Sequence, residues 1–130
     1  MNTTTALIVA LFSLFTPKES NDCETAYQDA TIGYQQIKKS MKTRNLEHVQ
    51  LYANRAKVAM EKANLTLKSC GCAEAENASF DAMEHLEKSL EKDTYERSRF
   101  HVSKARVSAQ LILTSLDQCC LLYTSDAADD

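Results

Sequence analysis

Tryptophan is absent from this chain, proline occurs once, and glycine occurs twice in 130 residues. Sheet-rich folds that reverse every few residues need glycine and proline at their turns, so most all-β and collagen-like designs are excluded. Charge of one sign is also scarce: 15 basic and 18 acidic residues leave a formal −3. That balance lacks the footprint of a nucleic-acid binder or a membrane-surface protein. Charged residues at 25% and hydrophobic residues at 44% place the chain among ordinary globular proteins, apart from disordered or polytopic membrane ones. The length suits one domain. What stands out is cysteine, five in so short a chain.

Both ends read as something other than fold. Residues 6–15 (ALIVALFSLF) form an unbroken apolar run, too short to span a bilayer but of the length of a signal-peptide core. No basic residue precedes it and no A-x-A site follows. The polar segment from Pro17 to Asp22 then breaks the pattern abruptly. Residues 1–22 are therefore expected to be an export signal and linker, which implies a secreted or periplasmic location and no stable membrane span. No small-residue lipobox precedes Cys23, where Ser20-Asn21-Asp22 stands. At the other end, residues 120–130 read CLLYTSDAADD. This run resembles the conceptual translation of a transposase-type sequencing adapter, matching in frame at every residue, and is expected to be foreign to the gene. Without it the acidic count falls from 18 to 15, equal to the basic count, and four cysteines remain: Cys23, Cys70, Cys72 and Cys119.

Those four mark an internal repeat. Cys23 to Cys70 and Cys72 to Cys119 are both 47 positions, and a shift of 49 aligns residues 23–70 with 72–119 without a gap. Ala26/Ala75, Lys39/Lys88, Ser40/Ser89, Glu47/Glu96, Ala56/Ala105, Val58/Val107 and Leu67/Leu116 are identical across the units, as are both end cysteines. Matching ends together with a matching apolar register indicate duplication.

Each unit has helical periodicity. Leu46, Val49, Ala53, Ala56, Met60, Ala63, Leu67 and Cys70 alternate three and four apart, and Tyr95, Ser98, Val102, Ala105, Ala109, Ile112, Leu116 and Cys119 repeat that seam. The first helix of each unit is looser, through Cys23, Ala26, Ala30, Ile37 and Met41, and Cys72, Ala75, Ser79, Met83, Leu86 and Leu90. Breaks fall at Thr43-Arg44-Asn45, at Lys92-Asp93-Thr94 and at Cys70-Gly71-Cys72, with Asp93 and Glu96 spaced for a capping box. Short turns force antiparallel neighbours, so the expected fold is an all-α, up-down four-helix bundle made of two duplicated helical hairpins.

That topology brings all four cysteines to one pole. Two pairings are open: Cys23–Cys70 with Cys72–Cys119, each clamping one hairpin, or Cys23–Cys72 with Cys70–Cys119. The turn positions place Cys70 about a turn beyond Cys23, which strains the first pairing. Four-thiolate zinc usually uses C-x₂₋₄-C knuckles, which C-G-C does not supply, so disulfides are expected in an exported chain and no metal. A metal-binding or thiol-redox protein using this pole is the alternative function. His48, His85 and His101 form no di-iron or triad pattern, and neither a haem-attachment nor a phosphate-loop signature occurs. No catalytic residue and no cofactor is expected.

Charge divides between the units: residues 23–70 carry eight bases and four acids, and 72–119 carry six bases and nine acids, a net of +4 against −3. Attraction between the hairpins, with helical pairs such as Glu84 and Lys88, is the expected use. Opposite the seam, Leu51, Val58 and Leu65 recur at sevens, and Phe100 and Val107 repeat the stripe. Arg55 and Lys104 interleave at equivalent places. These seven residues are the candidate surface for a protein partner or a homodimer, or else the seam of a wider core. The chain is accordingly expected to be a structural or interaction module.

Overall fold

The computed structural model describes residues 18–119. The apolar run at 6–15 and the adapter-like tail lie outside these residues. Four helices fill the described chain: α1 Lys18–Lys42, α2 Leu46–Cys70, α3 Ala73–Glu91 and α4 Tyr95–Cys119. Lys18–Asp22, the last part of the expected linker, already lie within α1, and the rest of residues 1–22 lies outside the described residues.

The helix ends follow local chemistry. Asn45 takes extended angles and its side chain accepts from the His48 N–H at 2.9 Å, capping α2. Thr94, the equivalent residue in the second unit, accepts from the Arg97 N–H at 3.3 Å and starts α4. The capping box expected of Asp93 and Glu96 is thus not formed, since the cap lies one residue later. Gly71 ends α2 at φ 85°, in the left-handed region where a side chain is strained.

The hairpins α1–α2 and α3–α4 pack most extensively, α2 meets α3 and α1 meets α4, and α2 approaches α4 across the diagonal. The result is the antiparallel four-helix bundle that the periodicity predicts. No described helix is long and apolar enough to cross a membrane.

The core is narrow because its residues are small. Among the described residues, alanine supplies eleven of the twenty-one buried apolar positions, with Ile37, Met60, Leu67, Leu86, Ile112 and Leu116 the large ones. Small side chains let helices approach closely but remove little apolar area from water. The bundle therefore relies on close fit and on covalent closure. Gly33 is one such fit: an added Cβ would lie 2.6 Å from Met60 Cε and 3.4 Å from the Ala59 Cβ. Buried serines fill the narrow layer near the turns and bond to backbone. The Ser40 hydroxyl donates to the Val49 carbonyl at 2.9 Å. At the equivalent junction the direction reverses, and the Ser98 hydroxyl donates to the Ser89 carbonyl at 2.8 Å.

Candidate interaction surface

The cysteine pole is built asymmetrically. Cys23 and Cys70 form a disulfide with a Cα–Cα separation of 4.9 Å, so the first hairpin is clamped and the crossed pairing is excluded. The feared overhang is absent because the register that sets Gly33 beside Met60 also sets Cys23 beside Cys70. Cys72 and Cys119 do not repeat that bridge: Cys119 is exposed and unbridged. Cys23 lies inside α1, whereas Cys72 is the N-cap of α3, with extended angles of φ −101° and ψ 90°. Its side chain leaves the helical register, and Sγ lies 3.6 Å from the Ser115 carbonyl, one turn short of Cys119. The bridge occupies two of the four sulfurs, so a four-thiolate metal centre is closed in this state. Among the described residues, no group of three or more His, Cys, Asp or Glu is placed to hold a metal ion.

The opposite pole, where the two turns lie, has the more varied surface. A depression of about 500 Å³ opens between the end of α1 and the start of α4, lined by Met41, Lys42, Arg44, Tyr95, Arg99 and Phe100 among others. A second hollow of about 250 Å³ adds Lys38 and Arg106. The Tyr95 hydroxyl donates to the Thr43 carbonyl at 2.9 Å, and the Arg99 guanidinium donates to the Met41 carbonyl at 3.5 Å. These contacts use the carbonyls that the end of α1 leaves unpaired.

The residues proposed from sequence as a surface are all exposed. Leu51, Val58 and Leu65 on α2 are 43%, 46% and 68% exposed, and Phe100 and Val107 on α4 are 55% and 65%. That exposure rules out a wider core. They form two stripes, because α2 and α4 stand diagonally and each stripe lies opposite its own buried seam. The interleaved cations sit over rings: Arg55 lies 5.5 Å from the Tyr52 centroid and Lys104 lies 4.9 Å from that of Phe100. Phe100 also meets His101 edge-on at 5.3 Å. Burial lowers the His101 pKa below its ordinary value, reinforced by Lys92, His85, Lys88 and Lys104.

Lys38, Lys42, Arg44, Arg99 and Arg106 belong to no periodic stripe, and the fold gathers them around one cleft. The signal was available in the repeat, since the shift of 49 pairs Lys38 with Glu87 and Lys42 with Glu91. Of the charge interactions expected, the helical pair of Glu84 and Lys88 is formed. The ion pair seen among the described residues is Glu84–Lys88 at 3.0 Å, within α3.

No protein-family model matches the chain, and no match was found among curated proteins or solved structures.

Proposed function

We propose that this chain is a non-enzymatic interaction module, exported and stabilised by its disulfide, that presents the outer faces of α2 and α4 to a protein surface. The observation that carries this reading is the exposed heptad stripe of Leu51, Val58 and Leu65 with its counterpart at Phe100 and Val107. Isolated apolar residues on a surface need no explanation, but aligned ones repeated in both halves of a duplication match the core of an interface. Cations held over Tyr52 and Phe100 give those stripes a polar edge. Export is supported by the apolar run at 6–15 and by a bridge of a kind that persists in oxidising compartments.

The test is substitution of Val58 and Val107 by glutamate, singly and together. Both side chains are exposed, so circular dichroism is expected to show an unchanged helical fold. Association of the chain, read by sedimentation or cross-linking, is expected to fall. An unchanged oligomeric state with partner binding intact overturns the reading.

A further inference from the structure

The hairpins match in pattern and differ in sign. Lys38, Lys42 and Arg44 of the first stand at the places held by Glu87, Glu91 and Asp93 in the second. In the fold, Lys38 and Lys42 join Arg99 and Arg106 at the cleft between α1 and α4. By the repeat, the groove between α3 and α2 has the three acids at these places, with Gln50 in place of Arg99 and Lys57 in place of Arg106, and so keeps an acidic excess. The pseudo-two-fold relation that exchanges the hairpins therefore exchanges a basic groove for an acidic one. Helix order places the α1–α4 and α2–α3 faces on opposite sides of the bundle. Arg99 donates to the Met41 carbonyl and Lys38 lies over the Tyr34 ring, but none of these charges is neutralised by an ion pair, the pair seen among the described residues being Glu84–Lys88. Phe100 lines the basic cleft, and its repeat counterpart Leu51 is exposed on α2, one of the two helices that flank the acidic groove.

We propose that the acidic groove of one copy of this chain docks into the basic cleft of a second copy, head to tail. The inference rests on the interaction-module reading and names its partner. Single exposed charge pairs contribute little to affinity, whereas complementary arrays fix register and speed encounter, and the exposed Phe100 and Leu51 supply apolar area to remove from water. Opposed grooves cannot both be satisfied across one two-fold axis, so the contact is heterologous and each added copy leaves one groove open. The assembly is therefore open-ended and sensitive to salt.

Two exposed triple variants test this on the full chain: Lys38→Glu, Lys42→Glu and Arg44→Glu together, which outnumber Arg99 and Arg106 and make both grooves acidic, and Glu87→Lys, Glu91→Lys and Asp93→Lys together, which make both basic. Sedimentation velocity is run at roughly 10 mM and roughly 1 M salt, where the screening length falls from about 30 Å to about 3 Å. Wild type is expected to form a concentration-dependent series of oligomers at low salt that dissociates at high salt. Each variant alone loses self-association, and an equimolar mixture of the two regains it. A wild type that stays monomeric at low salt overturns the proposal, as does a variant that still self-associates or a mixture that does not. Oligomers that ignore the charge swaps but dissolve on Val58→Glu with Val107→Glu overturn this docking mode and leave the interaction-module reading standing. Binding of heparin by wild type with no self-association assigns the cleft to a polyanion and overturns it equally.

Discussion

Gln50 and Arg99 occupy equivalent places, 49 residues apart, and each reaches from its own hairpin to the end of the other hairpin's first helix. Gln50 Nε2 donates to the carbonyls of Ser89, Leu90 and Lys92 at 3.1, 3.3 and 2.7 Å. Arg99 donates to the carbonyl of Met41 at 3.5 Å, and Met41 is the counterpart of Leu90. The duplication is thus present in the hydrogen bonding as well as in the sequence. Carbonyls that a helix end leaves unpaired are satisfied across the hairpin boundary, which ties the two halves together.

Replacing Gln50 by alanine removes this cap from α3 and is expected to cost about 1–2 kcal/mol. Amide exchange should accelerate in the α3–α4 turn, and α1 should be unaffected. Uniform acceleration throughout the bundle, or none, would show that the cap has no local role.

Gly33 and Met60 form a pair that the second hairpin has rebuilt as Ala82 and Ala109. Gly33→Ala brings a better helix former, by about 1 kcal/mol, but crowds a buried methionine, and overpacking costs about 1–3 kcal/mol. Met60→Ala opens a cavity at about 2–5 kcal/mol. Together they copy the pair already used in the other hairpin, so the double variant should be more stable than the sum of the single effects. Urea denaturation of the four proteins in the cycle reads the coupling, and additivity within about 0.5 kcal/mol would refute the pairing.

The cysteines should separate by role. Closing the 47-residue separation from Cys23 to Cys70 stabilises by about 4 kcal/mol in the chain-entropy description, a large share for a core built of alanine. Cys23→Ser with Cys70→Ser should lower the melting temperature strongly. Cys119→Ser, at an exposed position, should leave stability within about 0.5 kcal/mol. Equal effects of the two would contradict this division of roles.

His101 predicts a direction for acid. Its folded pKa lies below the ordinary 6.5 because burial and the cations around it disfavour the imidazolium. The unfolded chain then binds the proton more tightly, so the contribution of this group is full above about pH 6.5 and is lost as pH falls through the folded value. His101→Gln should shrink the difference between urea midpoints at pH 7.5 and 5. An unchanged difference would place the acid sensitivity elsewhere.

Much of the fold was legible because the a/d seam is regular and the turns are short. Val49, Ala53, Ala56, Met60, Ala63 and Leu67 are all buried as their spacing predicts. The buried serines were harder to read: Ser40, Ser89 and Ser98 look polar in sequence, and only the narrow alanine-lined layer explains why a small hydroxyl bonded to backbone suits that place. Cys72 eluded the repeat because a periodic pattern carries no information about a cap, where the backbone leaves the helix. The cleft eluded it too, since Lys38 and Arg99 are 61 positions apart and meet only through the packing of α1 on α4.

The first hairpin is clamped by Cys23–Cys70, and Cys119 at the end of the second is an exposed thiol. Peptide mapping of the unreduced full chain, with free thiols blocked before digestion, tests this directly. The predicted result is a linked peptide joining Cys23 to Cys70, with Cys119 recovered as a blocked thiol. Recovery of Cys23 linked to Cys72, or of Cys70 linked to Cys119, would contradict it.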